Sequence, residues 1–474
     1  MTQTHDLSAT RMAAAVRTGE VSPVELADHY LARIERLNEQ VGAYVTVTAE
    51  RARDEARQAE KAVREAADPA ELPPLHGVPV PVKDLNMVDG VRFTIGSGVY
   101  AGLTGFADDN VVTLLRRAGS VLLGKTAAPE FGLPCYTEGD VGPPARTPWD
   151  LSRSAGGSSG GAAAAVAAGL APVAQGSDGG GSIRIPSSAC GLFGIKPTRG
   201  RISQGPIIPD LFGLSTNGPI ARTVGDAALL LDVMAGRMPG DLYAAPPVEG
   251  TFASHAGRPP GRLRIGRSRE PAVAGAVVHP DCVAAYDAAS ELLAELGHEV
   301  VDMPPVFGPD LVPHFETLWA VMATITPVAG DSEHLLQPLT RWLRARGEAT
   351  SAPQLFQAHA ALQGALRAAF PVMDEFDAIL HPTLAEPPAP VGYFHDQEPA
   401  ENFERQKRFT PFCAMYNISG QPAVNVPLHW NDDGLPIGIM LAGRLGGEGT
   451  LISLSAQLEE ARPWIGRTPA IWTA

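Results

Sequence analysis

The stretch Gly176-Ser177-Asp178-Gly179-Gly180-Gly181-Ser182-Ile183-Arg184-Ile185-Pro186 sets a serine behind three consecutive glycines. Without a Cβ, such a run lets the backbone come close to a bound molecule and turn its N–H groups inward, as stabilising an oxyanion requires. A serine placed there would sit beside its own anion site. Standing alone, the run would be a tight glycine turn carrying a surface serine. Its neighbours decide between the two.

Upstream lies Gly157-Ser158-Ser159-Gly160-Gly161, and earlier still Val78-Pro79-Val80-Pro81-Val82 leads into Lys83-Asp84. A serine is a weak nucleophile at neutral pH and needs a base. A lysine can be that base only if apolar burial or nearby positive charge lowers its pKa far enough to hold it neutral. Lys83, at the end of an apolar strand, meets that condition, whereas most lysines and arginines of the chain read as solvated charges. Spacing alone does not bring Lys83 to Ser182.

Two other matches are decoys. Gly119, Gly124, Lys125 and Thr126 have the spacing of a phosphate-binding loop, but Val121-Leu122-Leu123 fills the place of the flexible cradle and helix-like residues precede it. Gly156-Gly157-Ser158-Ser159-Gly160 fits a nucleophile elbow, which needs a strand directly before it, and Pro148 to Ala155 is polar and turn-prone. An elbow would also need a late histidine, and His381, His395 and His429 have nothing to distinguish them.

Outward from these motifs the chain alternates helix and strand signals. Ser22 and Glu25 form a capping box with Pro23 at the first helical position, and Leu26, Tyr30, Ile34 and Leu37 share one face. Helices are expected over about 48–66, 111–118, 161–168, 224–234 and 282–296, with further helices filling much of 311–376. Strands are expected near 78–82, 121–123, 191–195, 263–266, 298–301, 378–380, 423–427 and 436–441. The run Ala162 to Ala174 reads as a buried helix, too short for the ~20 residues that span a bilayer. With no repeat and no convincing linker, the pattern is α/β in a single large domain, 1–474. Its signature core spans about 70–225, and a variable substrate cap about 236–402.

Composition narrows the partners. The chain has 474 residues, with 37 Lys and Arg against 52 Asp and Glu, a formal charge of -15. That field repels phosphate backbones and anionic lipid surfaces, so neither nucleic acid nor membrane is expected to bind. Cys135, Cys190, Cys282 and Cys413 lie far apart without zinc or disulfide spacing, and Met1 to Leu7 lacks the form of a signal peptide. A cytoplasmic protein with reduced thiols is expected.

Together these stretches resemble the amidase signature family. The resemblance rests on Gly77 to Asp84, Gly156 to Gly161, Gly176 to Pro186, Gly191 to Ser203 (GLFGIKPTRGRIS) and Asn417 to Pro427 (NISGQPAVNVP). It implies a mixed central β-sheet covered on both faces by helices. It also implies that Ser182 is the acylated nucleophile, Ser158 a bridging serine on a cis peptide bond, and Lys83 the base. Gly179, Gly180, Gly181 and Ser182 would form the oxyanion hole, while Ser159, Asp178 and Arg184 would hold the triad in place. No metal or organic cofactor is implied.

The expected reaction is hydrolysis of a small-molecule amide, linear or cyclic, to an acid and ammonia or an amine. Gly179 stands where many relatives carry threonine, which suggests a wider or more flexible pocket mouth. The A subunit of a glutamine-dependent amidotransferase and a catalytically inactive binding protein are the alternatives. Gly179 and Asn417 to Pro427 look more like stand-alone amidases, with similarity to cyclic nylon-oligomer hydrolases around Lys196 to Ser203 and Ser419 to Ala423. Acyl selectivity is expected from 131–138, 207–216 and 315–322, with Tyr136 and Trp319 lining an apolar pocket. A homodimer is compatible with this picture.

Overall fold

The computed structural model describes residues 3–207, 209 and 211–474, so Ile208 and Asp210, inside the expected selectivity stretch 207–216, lie outside the described residues. Its strands fall into two sheets. The smaller holds β1 (Tyr44–Val47), β2 (Pro79–Lys83) and β3 (Val121–Thr126) in the order β1-β3-β2, with β2 parallel and β1 antiparallel to β3. At Gly124 a Cβ would lie 2.2 Å from the Thr46 carbonyl oxygen, so only glycine lets β1 run this close.

The larger sheet holds β4 (Val173–Asp178), β5 (Phe193–Lys196), β6 (Thr216–Ala221), β7 (Arg264–Arg267), β8 (Glu299–Asp302), β9 (Ala378–Pro382), β10 (Ala423–Trp430) and β11 (Pro436–Gly443). Their order is β4-β6-β5-β10-β11-β9-β7-β8, antiparallel from β4 to β9 and parallel among β9, β7 and β8. The sheet is thus mixed, as expected, but parted where β2 runs beside β4. There a side chain replaces the backbone ladder: Lys83 N–H donates to Gln175 Oε1 at 2.8 Å, and Gln175 Nε2 donates to Asn86 and Asn217.

Helices cover the sheets. The helix Pro23–Val41 opens at Ser22 with the expected capping box and buries Leu26, Tyr30, Ile34 and Leu37. The helix Gly160–Ala167, almost entirely alanine and glycine, is buried on every side against both sheets. A helix buried all round needs no amphipathic stripe, and small side chains let backbones approach. The run 162–174, expected as one buried helix, divides instead: the left-handed Gly169 breaks it, and Val173 already belongs to β4.

The stretch 236–402 divides as well. Strands β7, β8 and β9, with the helix Pro280–Glu295 packed against β9 and β11, belong to the large sheet and not to a cap. The helices Pro338–Glu348 and Ala352–Met373 pack instead on the helix Val312–Met322.

From Val121 to Thr126 the phosphate-loop match is β-strand. Lys125 lies inside β3, its Nζ 2.7 Å from Asp84 Oδ1, both groups buried. Replacing Lys125 by Met would leave the Asp84 carboxylate buried and unpaired, which costs about 3–5 kcal/mol. Urea unfolding is expected to show a loss on that scale.

Candidate active site

Strand β2 ends by driving Lys83 into the interior between the two sheets, where it is 0% exposed. Its Nζ lies 2.8 Å from Ser158 Oγ, 2.8 Å from Ser159 Oγ and 3.0 Å from Ser177 Oγ, and 3.4 Å from the Ser177 carbonyl. Among the described residues no carboxylate is in hydrogen-bonding contact with it. Burial therefore holds the Lys83 amine well below the ordinary lysine value, opposed only by the negative charge of Asp178.

Ser158 and Ser159 precede the buried helix Gly160–Ala167, and the Gly157–Ser158 peptide bond is cis. Glycine is required at 157 because a Cβ there would lie 2.7 Å from the Tyr136 backbone. Ser159 ties the pieces together: its Oγ donates to the Ser177 carbonyl at 3.0 Å and accepts from the Ser177 N–H at 3.2 Å. Its own N–H donates to the Ser182 carbonyl at 3.1 Å, setting the neighbour of Ser158 directly against the predicted nucleophile.

Between β4 and the helix Arg184–Cys190, the turn 179–183 is fixed from below by a buried ion pair. Arg184 Nε and Nη2 reach the two Asp178 carboxylate oxygens at 3.0 and 2.9 Å. Nη1 donates to the Cys413 carbonyl and Nη2 to Asn417 Oδ1, while Asn417 Nδ2 returns to Asp178 Oδ1 at 2.8 Å. Burial alone would raise the Asp178 pKa, but the Arg184 charge, its hydrogen bonds, Lys196 and Asn417 outweigh it and hold the carboxyl below the usual range. Lys196, buried with its Nζ on the Pro197 carbonyl, is lowered to about 7 by burial and then by Arg184.

One expectation for the turn is corrected. The Gly181 N–H donates to Asp178 Oδ1 at 2.8 Å and is thus engaged within the protein. Gly179, Gly180 and Ser182 keep N–H groups without a protein acceptor among the described residues. Ser182 is 7% exposed, and it and Gly180 line an open pocket.

Trp319 lines that pocket too. A Cβ at Gly179 or Gly180 would lie 3.7 or 3.5 Å from its Cη2 atom, so the indole covers the two glycines. A Cβ at either position would be in ordinary van der Waals contact with the ring. Tyr136, expected in the pocket, is not there. It is buried with its ring stacked on Phe394 at 5.4 Å between centroids and its hydroxyl accepting from Asn402, so it is core, its backbone packed against Gly157.

Ser177, Gln175 and Asn417 were not singled out from sequence. A serine inside Gly-Ser-Asp gives no sign that its hydroxyl will meet a lysine ninety-four positions away. The histidines stand apart: His381 is buried between the Ser268 carbonyl and the Tyr416 hydroxyl, and none lines the Ser182 pocket. Among the described residues no cluster of three His, Cys, Asp or Glu side chains gathers to hold a metal, and no helix is long and apolar enough to cross a membrane.

The Amidase family profile matches residues 25–452. The 6-aminohexanoate-cyclic-dimer hydrolase of Paenarthrobacter ureafaciens is 35% identical over 487 residues, covering 98% of this chain and 96% of that one. The acylamidase of Rhodococcus erythropolis is 34% identical over 480 residues, covering 98% of each. A solved structure of 6-aminohexanoate cyclic dimer hydrolase with substrate superposes with a TM-score of 0.91 at 32% identity, covering 99% of this chain and 100% of the other. The chain belongs to the Amidase family, and its reaction is hydrolysis of an amide C–N bond.

Replacing Arg184 by Lys keeps one charge but loses the two-pronged grip on Asp178 and the contacts to Cys413 and Asn417. A loss of about 3 kcal/mol of stability, the scale of one or two charged hydrogen bonds, is expected in thermal or urea unfolding.

Proposed function

We propose that Ser182 is the acylated nucleophile, with Ser158 passing its proton to a neutral Lys83. What carries the reading is the buried Lys83 amine, held by hydroxyls and a carbonyl with no described carboxylate in hydrogen-bonding contact. A neutral amine has two N–H donors and one lone pair. Ser159 Oγ already gives its proton to the Ser177 carbonyl, so one lysine N–H goes to Ser159 and the lone pair is left for Ser158.

In this scheme Ser182 Oγ attacks the amide carbonyl as its proton moves to Ser158 Oγ and the Ser158 proton moves to Lys83 Nζ. The N–H groups of Gly179, Gly180 and Ser182 hold the oxyanion; that of Gly181 is spent on Asp178. As the C–N bond breaks, Lys83 returns its proton through Ser158 to the leaving nitrogen. Water then enters by the same base and releases the acid. Ser159, Asp178 and Arg184 act as positioning residues, and four buried unpaired cysteines agree with a reducing, cytoplasmic setting. The relatives give no support to an amidotransferase A subunit or to an inactive binding protein.

A fluorophosphonate is expected to label Ser182 and to fail on Ser182→Ala; an unlabelled wild-type chain contradicts the scheme. Lys83→Met is expected to lower kcat/KM by about 10³-fold, the scale of a lost general base. Because Lys83 must be neutral, the wild-type rate rises with pH to a plateau as the amine deprotonates below the ordinary lysine range. That rise disappears in Lys83→Met, and its survival there assigns the base elsewhere.

A further inference from the structure

Two apolar lobes flank the serine cluster, and Leu133 lines both. The first, about 130 Å³, contains Ser182 and Gly180 beneath Phe307, Phe315 and Trp319. The second, about 360 Å³, contains Ser177 with Leu103, Phe131, Phe212 and Met322. No described residue lining the second lobe is charged. In the first, the one charged side chain among the described residues is Lys407, which is already paired with Glu316 and Glu404. Gln406, also in that wall, spends its amide on Cys135 N–H and Asn402 Oδ1.

We infer that the substrate is a neutral secondary amide with apolar groups on both sides of the scissile bond, a compact acyl group in the first lobe and a larger amine in the second. The inference rests on the Ser182 acyl-enzyme reading. The acyl group stays bonded to Ser182 Oγ after the C–N bond breaks, so its substituent occupies the lobe that Ser182 lines. The leaving nitrogen takes its proton from the Ser158–Lys83 side. Lys83 Nζ is hydrogen-bonded to Ser177 Oγ, and Ser177 lines the second lobe, so the amine departs there.

Size sets the two halves. An apolar cavity of about 150 Å³ holds a benzene, so the first lobe, about 130 Å³ and open at its mouth, takes an acyl substituent no larger than a phenyl ring, and the second has more than twice its volume. Asn86, Gln204, Ser215 and Asn217 give the second lobe neutral polar groups but no described charged partner, so an unpaired carboxylate or ammonium buried there costs several kcal/mol. Glutamine and amino-acid amides fit poorly, and a primary amide leaves the second lobe empty.

The wall of the second lobe is built under strain. Ile95 and Phe131, the non-glycine residues of positive φ among those described (47° and 54°), both line it, and Phe131 N–H donates to the Ile95 carbonyl at 2.9 Å. Such conformations cost about 1–3 kcal/mol each and persist where the surroundings impose them, commonly at ligand sites.

The test compares benzamide, N-methylbenzamide, N-benzylbenzamide and N-(1-naphthylmethyl)benzamide with a version of the N-benzyl compound carrying a carboxylate on the amine-side ring. Ammonia and benzylamine are leaving groups of similar basicity, so the series reads the lobe and not the chemistry. kcat/KM is expected to rise roughly 100-fold from benzamide to N-benzylbenzamide and to fall by a similar factor with the carboxylate. Leu103→Trp, at a half-buried wall position, is expected to lower kcat/KM for the two bulky amides about tenfold without altering breakdown of preformed benzoyl-enzyme. Trp319→Ala is expected to alter that breakdown as well. A flat series, equal turnover of the carboxylate, or exchanged effects of the two variants overturns the lobe assignment. Fluorophosphonate labelling of every protein used keeps this separate from the acyl-enzyme reading: a wild-type chain that does not label fails at Ser182, whereas a labelled chain with a flat series fails only here.

Discussion

An amine buried among hydroxyls, with no described carboxylate touching it, is the constraint from which the rest of the site follows. Charging Lys83 would require hydration that the interior does not supply, so the fold favours the neutral amine. Keeping it so sets conditions on its neighbours. Asp178, whose negative charge favours protonation of Lys83, must be tied down, and Arg184 and Asn417 engage both its oxygens. The same pair pins the Gly181 N–H and so fixes the turn on which Ser182 sits.

The parted sheet serves the same end. If β2 and β4 continued one backbone ladder, the lysine and the serines would be held at strand spacing with no room for hydroxyls between them. The Gln175 amide bridges the gap instead, bonding to the Lys83 backbone on one side and to Asn86 and Asn217 on the other. The buried alanine helix Gly160–Ala167 then brings Ser158 and Ser159 up against Lys83 from the side. Three segments far apart in sequence thereby meet at one nitrogen.

Much of this was legible where local chemistry and fold agree. The capping box at Ser22, the apolar approach to Lys83 and the ordered glycine-serine motifs each carry their own signal. Strand β4 was missed because Val-Ala-Gln-Gly-Ser-Asp has little β-branched character and its buried side chains serve the site, not an alternating face. Strand β6 escaped notice because Gly218 and Pro219 argue against a strand interior. The cap was drawn too wide because β7, β8 and β9 are short and show their place only through non-local pairing. Tyr136 went astray for a simpler reason: an aromatic near a motif looks the same in core and in pocket until its neighbours are known.

The protonation state of Lys83 in the folded protein tests the central claim most directly. With lysine side chains labelled at ¹³Cε, the Lys83 resonance can be assigned by its loss in Lys83→Met, and the other lowered amines, Lys125 and Lys196, by their loss in Lys125→Met and Lys196→Met. A Lys83 resonance that titrates well below the ordinary lysine range is the predicted result. A resonance showing full charge up to pH 10 would mean that the buried amine is an ammonium, and that Ser158 and Ser182 take their base from elsewhere.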